Sequence, residues 1–287
     1  MRTAELSVVP ESFVCNANCP FCISKQNFDP CDKRTHISER ALVRAIQYAK
    51  DCGAQTGIVT GKGEPLCMDP DLIDSVIRTL RDSFGRVDLH TNGLKLVEME
   101  HADFVSYMDH LRSCGLTNLT LSIAHPHSRI HMESMGLKKQ VLEPLVRRIK
   151  CYKNVHPLHV RFACVLAKEY VGTREQIERY LQFAHEWGAD AVIFREMWVS
   201  GASPQAKWCR DNFVSKEVVR SLMFDNTQDF KPLMEHPWGW VYEYKGKVAV
   251  STGVCDFHED DFASRSFCSL IIICTICGAV LRAGYGD

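Results

Sequence analysis

Three thiols within eight residues carry the most chemistry in this chain: Cys15-Asn16-Ala17-Asn18-Cys19-Pro20-Phe21-Cys22 spaces its cysteines as CxxxCxxC. Three thiolates in one short loop can hold three irons of a cubane 4Fe-4S cluster, and they leave the fourth iron open for chemistry. A zinc site would call for four ligands, commonly from two CxxC knuckles. Here the only near downstream histidine is His36 and the only near extra thiol is Cys31. A disulfide framework is the weaker reading for 287 residues that open MRTAELSVVPESF without an apolar run, so a reducing cytoplasmic setting is expected.

Further polar loops fall where strand-like runs end. Thr56–Thr60 leads into Gly61-Lys62-Gly63-Glu64-Pro65, Val87–His90 into Thr91-Asn92-Gly93, and Leu119–Ala124 into His125-Pro126-His127. On the cysteine loop and these three segments the chain resembles the radical S-adenosylmethionine (radical SAM) superfamily. The resemblance implies that Cys15, Cys19 and Cys22 bind the cluster and that SAM chelates the open iron. It further implies reductive cleavage of SAM to a 5'-deoxyadenosyl radical, with a reducing partner such as flavodoxin or ferredoxin.

The same resemblance assigns cofactor contacts. The family's GGEP-type loop meets the methionine amino group, and here Lys62 takes the second position while Gly61 and Gly63 keep the tight ones. Glu64, Asn92 and Ser122 are the polar contacts implied, while Phe21, by its place inside the triad, reads as an aromatic wall against the cofactor or cluster or as a core residue. Many relatives have an aspartate where this chain has Ala124, which leaves Asn92 and His125 as alternatives to Ser122.

These loops need elements to position them. Strands are expected at Ala4–Val9, Thr56–Thr60, Val87–His90, Leu119–Ala124, Leu158–Leu166 and Ala191–Arg195. Helices are expected at His36–Lys50, Pro70–Arg81, Val97–Cys114, Lys138–Lys153 and Thr173–Trp187. This alternation is that of a parallel sheet, and the family's incomplete (β/α)6 TIM-like barrel has the same count. Residues 1–196 would form the partial barrel, with the active site at the C-terminal strand ends. Residues 197–287 would be an extension closing its open side, with a helix at Val214–Phe224 and a hairpin turned at Gly246.

Substrate-facing candidates follow from this placement. Arg161 on a strand needs an anionic partner, either a ligand acid or Glu64 or Glu196, and Arg195 is a ligand contact or an internal pair with Glu196. His125 is read as a substrate or acid-base residue, and His131 as a solvent-facing loop residue. Trp198, Trp208, Trp238 and Trp240 could line the pocket; Cys31, Cys67 and Cys164 are candidate hydrogen-atom donors. Cys255, Cys268, Cys274 and Cys277 could hold a second 4Fe-4S cluster, although Leu270–Ile273 reads first as a buried strand.

Composition narrows the classes left. Lys plus Arg number 34 against 35 Asp plus Glu, without a basic block, so no phosphate-binding surface for nucleic acid is advertised. The apolar run Leu270–Leu281 is too short to span a bilayer. A small polar metabolite such as a nucleoside, sugar or amino-acid derivative suits a compact barrel, the main alternative being a short peptide that is epimerised or cross-linked. An iron-sulfur electron carrier would use the cysteines alone, without the glycine and Thr91-Asn92-Gly93 loops.

Overall fold

The computed structural model describes residues 4–10, 14–26, 38–199, 201–236, 239–254 and 269–273. Strands β1 (Glu5–Val9), β2 (Thr56–Val59), β3 (Arg86–Thr91), β4 (Asn118–Ser122), β5 (His159–Val165) and β6 (Ala191–Glu196) pair in sequence order, all parallel. These are the six strands expected, and the sheet curls as an incomplete barrel.

Between the strands run α1 (Ile23–Gln26), α2 (Glu39–Asp51), α3 (Pro70–Arg81), α4 (Leu94–Glu98), α5 (His101–Cys114), α6 (Ser128–Ser134), α7 (Leu142–Lys153) and α8 (Arg174–Glu186). Local chemistry sets their ends. Ser38 caps α2 by accepting from Ala41 N, Asp69 with Pro70 starts α3, and Thr173 with Gln176 forms a capping box on α8. Gly115 closes α5 at φ 117°, a conformation that a Cβ would strain.

Two helices differ from expectation. The single helix Val97–Cys114 is split, because Met99 and Glu100 are extended and Arg148 Nη1 takes the carbonyls of Leu96 and Met99 at 2.9 and 2.6 Å. The helix expected from Lys138 begins at Leu142, which leaves Pro144 in the first turn, where its missing N–H costs nothing. Residues 128–134, read as loop, form α6.

The extension joins the same sheet on both sides. After α9 (Pro204–Asp211) and α10 (Glu217–Asp225) come β7 (Phe230–His236), β8 (Gly239–Tyr244) and β9 (Val248–Val254), each antiparallel to the next; β9 then lies parallel to β6. The hairpin turns at Gly246 as expected, whereas β7 and α9 were not foreseen. β10 (Ser269–Ile273) pairs parallel with β1, so the order is β10-β1-β2-β3-β4-β5-β6-β9-β8-β7.

Strand parity gives the sheet two unlike faces. Leu6, Val8, Val59, Val87, Leu89, Leu119, Leu121, Val160, Phe162, Val192, Phe194 and Val250 pack with helix residues such as Ile77, Leu111, Ile149 and Leu181 in one apolar core. Each such residue contributes about 1.5–3 kcal/mol through burial. The opposite parity carries Ser7, Asp88, His90, Asn118, Thr120, Ser122, Arg161, Arg195 and Ser251 among Ile58, Ala163, Val165 and Ile193, a mixed face inside the curl with more polar groups than the first. No helix among the described residues is long and apolar enough to cross a membrane.

Candidate active site

The cysteine loop follows β1 and is braced from three directions. Val14 O accepts from Glu64 N at 2.6 Å, Asn18 N donates to Met135 O at 2.9 Å, and Asn92 Nδ2 donates to Asn16 Oδ1 at 2.8 Å. Gly63 is required by this approach, since a Cβ there would lie 2.2 Å from Val14 O. Gly136, at φ +61°, likewise lets Asn18 O come close, and Gly61 packs against Met68. Ala17, Cys19 and Phe21 rest on Leu94, Ala124, Met135, Leu137 and Val141.

Cys15 is exposed, Cys19 and Cys22 partly so. Burial raises the Cys15 thiol, and burial with the neighbouring Cys22 and Cys15 pushes Cys19 up to about 12. Metal binding would release these protons. Among the described residues the three sulfurs do not gather within 4.8 Å of one another. Thiolates on one tetrahedral zinc would stand about 3.8 Å apart, from a Zn–S length of ~2.3 Å. Three thiols on one braced loop are the donor set that a 4Fe-4S cluster takes, with its fourth iron left open.

Glu64 is buried and spends both oxygens on the end of β3 and the loop after it, and on the turn that follows Glu64 in sequence. Oε1 accepts from Thr91 Oγ1 at 2.5 Å and Leu66 N at 3.1 Å, and Oε2 accepts from Asn92 N at 2.7 Å. Burial pushes its carboxyl up to about 7, against these three donors. Asn92 Oδ1 in turn accepts from Leu94 N at 3.0 Å. The glycine loop, the Thr91-Asn92-Gly93 loop and the cysteine loop are thereby one hydrogen-bonded unit at the C-terminal ends of β1, β2 and β3.

Phe21 bridges two apolar groups and meets the Trp208 ring of α9 at 6.2 Å, which in turn stacks on Tyr170 at 5.8 Å. Gln26 Nε2 ties the same loop to Trp198 O at 2.9 Å. Trp238, Cys31, His36, Cys255, Cys268, Cys274 and Cys277 lie outside the described residues.

Ser122 ends β4 on the inner face, opposite Ala163. One layer below it, Arg161 finds its anion in Asp88, with Nη2 2.6 Å from Oδ2, rather than in Glu64 or Glu196. Burial would raise the Asp88 carboxyl, but Arg161, His90 and Thr120 hold it well below the usual carboxylate range. Glu196 Oε2 accepts from Lys216 N at 2.8 Å, and being next in sequence it points away from the face on which Arg195 lies. Polar residues two apart in Val87-Asp88-Leu89-His90 and Leu119-Thr120-Leu121-Ser122 were the unread signal for this layer.

The histidines separate. His125 lines a groove of about 560 Å³ with His127, Ile130 and the α8 residues Gln176, Arg179 and Phe183, on the helical side of the sheet. His131, expected in solvent, is fully buried in α6; its Nδ1 accepts from Ala124 N at 3.3 Å and burial pushes its pKa down to about 4.

A family model described as the Radical SAM superfamily matches residues 11–184. The chain is 31% identical over 93 residues to 7-carboxy-7-deazaguanine synthase of Clostridium acetobutylicum, a stretch covering 32% of this chain and 40% of that protein. Its fold is similar to that of Streptococcus suis SuiB bound to S-adenosylmethionine, with a TM-score of 0.61 at 17% identity over 94% of this chain and 58% of SuiB. Coproporphyrinogen III oxidase (HemN) of Escherichia coli gives 0.51 at 14% identity, over 88% of this chain and 63% of that one. The chain thus spans less than two thirds of each of these three proteins.

Proposed function

This chain belongs to the radical SAM superfamily, and on that premise we propose that it is an enzyme that abstracts hydrogen from a small polar biosynthetic metabolite, leading to rearrangement, cyclisation or oxidation. Cys15, Cys19 and Cys22 would hold the 4Fe-4S cluster, and Asn92, Ser122, Gly61 and Gly63 would position SAM. When bound there, cluster and SAM supply a 5'-deoxyadenosyl radical on receipt of one electron from a flavodoxin or ferredoxin. The observation that carries this reading is the cross-bracing of the thiol loop to both the glycine loop and Asn92. A lone electron carrier has no use for it.

Residues 197–287 are proposed to shape the substrate pocket, supported by Trp208 against Phe21 and by β9 beside β6. Hydrogen transfer needs the substrate C–H held against the 5'-carbon, and converging loops at strand ends supply such positioning. The polar groups of the inner face favour a polar metabolite, as does the identity shared with a deazaguanine synthase. The test is incubation of reduced protein with SAM and a deuterated metabolite panel, followed by mass spectrometry of 5'-deoxyadenosine. Deuterium arriving only from a short peptide would replace the metabolite reading, and a cluster without SAM cleavage would leave the electron carrier.

A further inference from the structure

Among the described residues, one place outside the cysteine loop brings three different metal-binding side chains together. Helices α3 and α5 pack side by side, and between them Asp74, His110 and Cys114 put a carboxylate oxygen, a ring nitrogen and a sulfur all within 4.8 Å of one another. His110 and Cys114 are four residues apart on α5, so one face of that helix carries both, and Asp74 meets them from the second turn of α3. Both helices are fixed by other groups. Ile73, Val76, Ile77 and Leu80 of α3 and Phe104, Met108 and Leu111 of α5 lie in the core, and Gly115 lets the end of α5 close on Arg81, whose Cγ a Cβ there would meet at 2.4 Å.

The spacing suits a single ion. With Zn–S about 2.3 Å and Zn–N about 2.0–2.1 Å, sulfur and nitrogen on a tetrahedral zinc stand about 3.6 Å apart. Cys114 Sγ lies 3.7 Å from His110 Nε2. The same Nε2 hydrogen-bonds Asp74 Oδ2, so carboxylate and thiol close on one ring nitrogen. An ion among them would part Nε2 and Oδ2 to about 3.3 Å, the nitrogen–oxygen edge of that tetrahedron. His110, with a side chain 47% exposed, is free of the core and can turn by that amount. Burial and the Asp74 charge raise the Cys114 thiol, while Arg78, one turn beyond Asp74, favours its thiolate. Tyr107, one turn before His110, also feels the Asp74 and Cys114 charges.

We propose that Asp74, His110 and Cys114 bind a zinc ion on the outside of the barrel, with water as the fourth ligand, clamping α3 to α5. Thiolate and imidazole select zinc over magnesium or calcium, which take oxygen ligands. Asp74 and the thiolate together neutralise the dication, and the thiol proton leaves to solvent as the ion enters. Three protein ligands leave one tetrahedral position, which the exposure of His110 puts within reach of water. The site shares no residue with the cysteine loop and stands whether or not the chain cleaves SAM.

The test uses the cluster-loaded chain, kept anaerobic so that Cys15, Cys19 and Cys22 are occupied, and titrates it with Zn²⁺, Mg²⁺ and Co²⁺ against a chelator. The wild type should take one zinc per chain that His110→Gln and Cys114→Ser bind about a hundredfold more weakly. Mg²⁺ should not compete for it. Co²⁺ should give a thiolate-to-metal charge-transfer band that Cys114→Ser lacks, and Zn²⁺ should raise the melting temperature of the wild type more than that of His110→Gln. Cluster iron and SAM cleavage should match the wild type in both variants, and His110→Gln, at a half-exposed position, carries the test if Cys114→Ser disturbs the fold. Equal zinc uptake in wild type and His110→Gln, no zinc uptake, a cobalt spectrum without the thiolate band, or displacement of zinc by Mg²⁺ would overturn the site and leave a plain His110–Asp74 hydrogen bond between two helices.

Discussion

Asn92 Nδ2 donates to Asn16 Oδ1 at 2.8 Å, joining the loop after β3 to the cysteine loop across 76 residues of chain. Asn92 is 5% exposed, and its own Oδ1 accepts from Leu94 N, so the amide orientation is set from both ends. Asn92→Ala should keep cluster iron but weaken SAM binding about tenfold, the scale of one or two buried hydrogen bonds. Isothermal titration of the reconstituted protein measures this. Unchanged affinity would remove Asn92 from the SAM site.

The cluster assignment predicts that replacing Cys15, Cys19 and Cys22 with alanine abolishes the SAM-responsive electron paramagnetic resonance signal of the reduced protein. Iron should fall to near zero. Retention of about four irons per chain would place a second cluster on other thiols, for which Cys255, Cys268, Cys274 and Cys277 are the candidates.

Gly63→Ala should disrupt the site where Gly85→Ala does not. A Cβ on Gly63 meets Val14 O at 2.2 Å and must push the cysteine loop from the glycine loop, whereas one on Gly85 meets nothing within 4 Å. Loss of cluster occupancy and of SAM cleavage is expected in the first variant, measured by iron content and 5'-deoxyadenosine yield. Normal values in both would show that the close approach is dispensable.

Glu64 should make stability pH-dependent. Its folded pKa of about 7 lies above the ordinary 4.5, so the folded state binds the proton more tightly. Its stabilising contribution is complete below about pH 4.5 and is lost as pH rises through about 7. The melting temperature of the wild type minus that of Glu64→Gln should therefore fall from pH 5 to pH 8, by thermal unfolding of cluster-free protein. A difference that rises with pH would mean that the three donors outweigh burial.

Arg161→Met would leave the Asp88 carboxylate buried without its ion pair. Removing one partner of such a pair costs about 3–5 kcal/mol. Urea unfolding should show that loss, and Asp88→Asn combined with Arg161→Met should recover part of it. A single variant as stable as wild type would place Asp88 in contact with solvent.

The sequence by itself determined the elements and the loops that carry chemistry. Cysteine spacing, strand-ending glycines and period-2 apolar runs are local signals, so Cys15, Cys19 and Cys22, the Gly61–Glu64 loop and the six parallel strands could be read directly. Tertiary structure decided what meets what. That Arg161 pairs with Asp88, 73 residues away, follows from the register of β3, β4 and β5, which no local pattern states. Parity could have placed both on one face, but not at adjoining levels, because a two-residue shift of register along parallel strands keeps each face as it is while moving every neighbour. The same holds for His125 and His131: one short histidine-bearing segment became a helix, and its packing against Ala124 buried His131 while leaving His125 beside α8.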